Sequence, residues 1–121
     1  MEGVRCYRTS NYLAACVLSG AAAESLLLAI AIEKTGDEAA ILAEYKAASG
    51  RGRVKKRVTA GLDASRAAQF ESALHVLSYW RDDAGHGTVT TISEIEAFTA
   101  LSLLLRLAQF THDHWTTLSA T

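Results

Sequence analysis

Two side chains suited to handling a phosphoester, an Arg and a His, stand within six residues of one another, with two carboxylates between them that would repel a phosphate. Arg81, Asp82, Asp83 and His86 fall in the stretch YWRDDAGHGT, Tyr79–Thr88. A guanidinium forks onto phosphate oxygens, and an imidazole moves protons near neutral pH. On an unbroken helix, residues five apart lie about 140° apart and do not converge. Convergence therefore needs a break, which Gly85 supplies, or a second copy across a two-fold axis. A plainer account is a helix end closed by glycine, with a cation near the negative end of the helix dipole and two solvated aspartates.

The elements that hold these groups are helical. The 121 residues suit one domain, residues 1–121, half of them hydrophobic, with net charge −1 and no proline. A nucleic-acid binder usually carries a basic surplus, so any such role here rests on a local patch. Cys6 and Cys16 form no C-x-x-C pair and read as small hydrophobes in a reducing, cytoplasmic compartment. No metal site and no cofactor are expected. Residues 12–32, YLAACVLSGAAAESLLLAIAI, are long enough to span a bilayer but carry Glu24 near their middle. That position is costly in a bilayer, so the segment reads as the buried central helix of a bundle, without a membrane partner.

Helix one is expected over Val4–Lys34, stopped by Gly36, and helix two over Asp37–Ala48, with Ile41, Leu42 and Tyr45 as its apolar stripe. Ser49–Gly61 holds three glycines and five basic residues and reads as the least regular part of the chain, with room for a short helical turn. Helix three starts at Asp63. In it Phe70, Leu74 and Leu77 form one stripe, with Ala73, Val76 and Trp80 beside it, while Glu71, His75, Ser78 and Asp82 lie opposite. Four residues beyond Leu77, the stripe reaches Arg81, where an unpaired guanidinium would be expensive. Ser93–Glu96 is a capping box opening helix four, which runs to about Leu118. Its middle, LSLLLRLAQF, is apolar on nearly every side apart from Arg106, so a partner chain is a natural cover. The expected architecture is an all-α, up-and-down bundle of four to five helices.

Three segments carry a resemblance: AACVLSGAAAESLLL, WRDDAGHGT and ISEIEAFTALSLL. In this order and spacing, which covers nearly the whole chain, they resemble the HEPN superfamily and, more narrowly, a family of uncharacterised HEPN-like domains. The superfamily's signature is R-x(4–6)-H with a polar residue after the Arg, and Arg81, Asp82 and His86 occupy those places. The resemblance implies a metal-independent endoribonuclease, homodimeric, with two such motifs lining a cleft at the dimer interface. Arg81 would stabilise the phosphoryl transition state, His86 would act as general acid or base, and Asp82 would orient one of them. The neighbouring 2′-hydroxyl would attack, leaving a cyclic phosphate. The implied setting is a bacterial defence or toxin–antitoxin system with its partner protein. Asn commonly follows the Arg in active members, where this chain has Asp82 and Asp83. The Tyr that follows the His in antitoxin-paired toxins is replaced by Gly87 and Thr88. A non-catalytic dimerisation or interaction module, or an accessory domain of a larger system, is the alternative.

Glu24 shares a stripe with Leu13, Val17, Gly20 and Leu27 and is expected to face inward and meet a basic partner. Arg81 is the first choice, either positioning the catalytic group or making a structural ion pair. The run Arg51, Arg53, Lys55, Lys56 and Arg57 is either an RNA-backbone grip or a solvated loop. His112 and His114, two apart, point away from each other on a helix and suit no zinc site. They read as a surface pair near a fraying end, with Trp115 packed on the bundle.

Overall fold

The computed structural model describes residues 12–85 and 94–120, and side chains for all of these except residues 13 and 80–85. Every regular element among the described residues is a helix: α1 (Tyr12–Thr35), α2 (Glu38–Lys46), α3 (Gly50–Thr59), α4 (Ala64–Gly85), α5 (Glu94–Asp113) and α6 (Trp115–Ser119). The chain is an all-α bundle.

α1 is the hub and packs against each of the other five helices, most extensively against α4 and then α5. Its sequence explains why. Small side chains at Ala15, Cys16, Ser19, Gly20 and Ala23 give way to Leu27, Ile30 and Ala31, and all are buried. Small residues let a neighbouring axis come close, and the larger ones fill the space further along. The one buried hydroxyl of this face is satisfied, since Ser19 Oγ donates to the Ala15 carbonyl at 2.7 Å. By length and composition α1 could cross a membrane, and somewhat under half of its apolar stretch is buried inside the bundle. α4 contributes Phe70, Leu74 and Leu77 and α5 contributes Ala97, Ala100, Leu104 and Leu107 to the same core. The expected stripe of α4 is thus its buried stripe.

The helix ends follow local chemistry. α1 stops at Gly36, whose φ of 71° places it in the left-handed region and whose N–H donates to the Ile32 carbonyl at 2.7 Å. Asp37 caps α2, its Oδ1 accepting from the Ala40 N–H at 3.0 Å. Asp63 caps α4 in the same way, accepting from Arg66 N–H at 2.8 Å.

Two segments differ from expectation. Ser49–Gly61 contains a ten-residue helix, α3, rather than a loop with at most a turn. Val54 and Val58, one helical turn apart, are fully buried and supply the anchoring that the glycines and charges obscure. The final helix does not run unbroken to Leu118. It ends at Asp113 and restarts at Trp115 after His114, whose backbone leaves the helical region. The restart seats Leu118 in the core, while Trp115 packs on the bundle with 41% of its surface still exposed. Leu118, not Trp115, is therefore the anchor of this end.

Candidate nucleotide site

α3 is fixed to α2 before it can present any side chain. Arg57 forks onto Glu44, with Nε and Nη2 donating to the two carboxylate oxygens at 2.8 and 2.9 Å. This pairing holds the Glu44 carboxyl below its ordinary range, first through the hydrogen bond and then through the charge. It likewise raises the Arg57 guanidinium. Lys34 Nζ donates to the Arg57 carbonyl at 2.6 Å and Arg53 Nη1 to the Ala48 carbonyl at 3.0 Å. The turn between α2 and α3 puts Ser49 in the left-handed region, with φ 60°. Gly50 then packs against the Glu44 carbonyl, where no side chain fits.

The basic run therefore divides by helical face. Arg53 and Arg57 are tied to α2 and its flanking turn. Arg51 and Lys55, four residues apart, turn instead to a cleft of about 300 Å³ enclosed by α1, α2, α3 and α4. Lys56 is exposed and lies outside that cleft. Arg51 sits over the Tyr45 ring, 5.6 Å from its centroid, which presets the guanidinium plane. Leu27 and Leu74, both buried, form an apolar floor. The half-buried Glu24 carboxylate lines the same cleft, and α4 completes it with His75, Ser78 and Tyr79.

Glu24 is thus half-buried on the inner side of α1, facing a cleft with basic walls. Its pairing with Arg81 falls outside the described side chains. Arg81 and Asp82 lie on the backbone of α4, in its last turn and a half, and Gly85 is the final residue of that helix. Their side chains, and His86 altogether, lie outside the described residues, as do Cys6 and the Ser93 cap. What α4 does establish is register. Positions 81 and 82 follow Ser78 by three and four residues, so they lie one turn, about 5 Å, further along the helix from the cleft wall.

In the sequence His75 and Ser78 fall on a polar stripe and Tyr45 on an apolar one, with no spacing that joins them. The signal that could have joined them was the pairing of two polar faces: Arg51 and Lys55 at i and i+4, opposite His75 and Tyr79 at i and i+4. It becomes readable only once α3 is recognised as a helix. His112 is exposed, while His114 is half-buried with its ring 4.5 Å from that of Phe110. Among the described residues no three His, Cys, Asp or Glu side chains are grouped to hold a metal ion. Cys16 is a buried free thiol, pushed up to about 11 by burial, with the Glu96 carboxylate adding to the shift.

No family model matches the chain, and no curated protein or solved structure matches it.

Proposed function

We propose that this chain engages RNA or a nucleotide in the manner of a HEPN-like domain, with Arg81 and His86 acting on a phosphodiester and Arg51 and Lys55 gripping the adjacent nucleotide. One observation carries this reading. Glu24 on α1 and Arg51 and Lys55 on α3 converge on one cleft whose far wall is the stretch of α4 that leads into Arg81. Three cationic or protonatable groups, two tyrosines and an apolar floor suit a base and its phosphate better than a purely apolar ligand.

The chemistry is that of a metal-independent endoribonuclease. The 2′-oxygen attacks its own phosphorus, the 5′-oxygen of the next nucleotide leaves, and the imidazole of His86 moves a proton in one of these steps. Arg81 stabilises the charge on the non-bridging oxygens. The cytoplasm is the setting, where a free thiol such as Cys16 stays reduced. The test is cleavage of single-stranded RNA in EDTA by wild type, His86→Ala and Arg81→Ala. Wild type is expected to leave 2′,3′-cyclic phosphate ends, and each variant to be slower by about 10² or more. Equal activity in all three contradicts the catalytic assignment.

One feature favours a second reading, a non-catalytic module that acts by pairing. Ile95, Phe98 and Leu105 on α5 are 76%, 59% and 60% exposed, and their spacing puts them, with Ser102, on one face. A second copy or a partner protein of a defence system would cover such a face. Sedimentation of wild type against Phe98→Glu tests it. A dimer that becomes monomeric, in a protein without cleavage activity, supports this reading, and a monomeric wild type opposes it.

A further inference from the structure

We infer that the cleft between α1, α2, α3 and α4 is a guanine-selective pocket, holding one unstacked guanine ribonucleotide with its base edge on Glu24 and its phosphate on Lys55 and His75. The inference rests on the nucleotide-engaging function proposed above and adds the identity of the base and the residues that read it.

The charge layout decides the ligand's shape. Among the described residues, Arg51, Lys55 and His75 line the cleft together with one carboxylate, Glu24. A simple anion such as phosphate or sulfate would gain the cations but be repelled by Glu24. A cation would meet the reverse. The layout suits a ligand that is anionic at one end and presents N–H donors at the other, with a flat body between. Arg51, lying over the Tyr45 ring at 5.6 Å, and Tyr79, which lines the same cleft, would be the planar groups on which that body stacks. The volume, about 300 Å³, is at the small end of ligand sites. It is on the scale of a single nucleotide.

The carboxylate then discriminates among bases. Guanine carries two adjacent donors, N1–H and the 2-amino group, which can fork onto both oxygens of one carboxylate as a guanidinium does. Adenine and cytosine each offer one amino group beside an acceptor nitrogen that a carboxylate repels. Uracil's single N–H is flanked by two carbonyl oxygens. Glu24 is engaged within the fold. A carboxylate offers about four lone-pair sites, so accepting from a base edge adds or exchanges partners and requires no idle group.

The test is titration of the full chain with GMP, AMP, guanosine and inorganic phosphate by calorimetry, and with short single-stranded RNAs that contain or lack guanine. Expected is GMP binding about tenfold or more tighter than AMP, and tighter than guanosine or phosphate alone. Glu24→Gln, whose amide presents a donor where one oxygen accepted, should abolish the GMP-over-AMP preference. His75→Ala, at an exposed position, should weaken GMP but leave guanosine unchanged. GMP binding no tighter than phosphate overturns the inference, as does a base preference that survives Glu24→Gln in a protein of unchanged circular dichroism. If RNAs with and without guanine bind equally well, the pocket assignment fails while RNA engagement itself stands. If GMP binds and RNA does not, the pocket serves free nucleotide and the RNA-cleaving function fails instead.

Discussion

Replacing Gly50 by alanine tests how α3 is held and, through it, how the cleft is built. The new Cβ would fall inside contact distance of the Glu44 carbonyl oxygen, 2.8 Å from the Glu44 carbonyl carbon and 3.1 Å from that of Tyr45. Ordinary carbon contacts are about 3.5–4.0 Å, and the obstructing atoms are backbone, which cannot swing aside. Either α3 retreats by well over an ångström, to bring the carbonyl oxygen out to ordinary contact, or the end of α2 unwinds. Overpacking of this kind costs about 1–3 kcal/mol, and the immovable neighbours favour the upper part of that range. Alanine in a helix returns about 0.5–1 kcal/mol relative to glycine, so the net loss is about 2 kcal/mol. For a domain of this size that lowers Tm by about 6–10 °C. Gly52 is the internal control, since a Cβ there meets nothing within 4 Å, and Gly52→Ala should gain the helix term alone and raise Tm by a few degrees. Thermal and urea denaturation followed by circular dichroism measure the Tm and the free-energy change of both variants. Arg51 is the residue after Gly50 and moves with it, so Gly50→Ala should also weaken GMP, while Gly52→Ala should not. A Gly50→Ala protein as stable as Gly52→Ala would refute the packing argument.

Other outcomes follow from the same structure. Leu77 is fully buried and Val76 beside it is 41% exposed, so Leu77→Ala should cost about 2–5 kcal/mol and Val76→Ala well under 1 kcal/mol; comparable losses would misplace the α4 register. The Cys16 thiol, raised from 9.0 to about 11, is favoured as the neutral form by folding. Its contribution is intact below about pH 9 and is lost as pH rises through about 11. In a Cys6→Ser background it should resist a disulfide reagent at pH 8 until the chain unfolds; rapid labelling of the native protein would contradict its burial. Glu44 is held low by Arg57, so whatever the pair contributes is present above the ordinary carboxylate range and lost as pH falls through the lowered value. Arg57→Ala should return the Glu44 carboxyl toward its ordinary range in an NMR titration, and an unmoved titration would exclude the forked pair.

The helices that carry strong periodic signals were legible in the sequence. Phe70, Leu74 and Leu77 declare the buried face of α4, Asp63 its start, and Gly36 the end of α1. α3 was hidden because its hydrophobic signal is two valines, Val54 and Val58, among glycines and charges. Its stability comes from tertiary burial of those valines, which no local propensity reports, while the solvent-exposed Arg57–Glu44 fork fixes its position against α2. The break at His114 has no glycine or proline to mark it. The cleft was only partly legible. Glu24 stood out as a charge in an apolar helix and Arg51 and Lys55 as part of a basic run, but the division of that run between structural and cleft-facing residues depends on the helical phase of α3.

The most direct measurement of the central claim is the binding of a single-stranded RNA oligonucleotide to wild type and to Arg51→Ala/Lys55→Ala, followed by fluorescence anisotropy over a range of salt. The account predicts saturable binding by wild type and affinity at least tenfold weaker in the double variant. The slope of log K against log salt should be shallower by up to about 1.4, the value for two lost phosphate contacts on a single strand. No RNA binding by wild type, or identical affinity and salt slope in the two proteins, would contradict it.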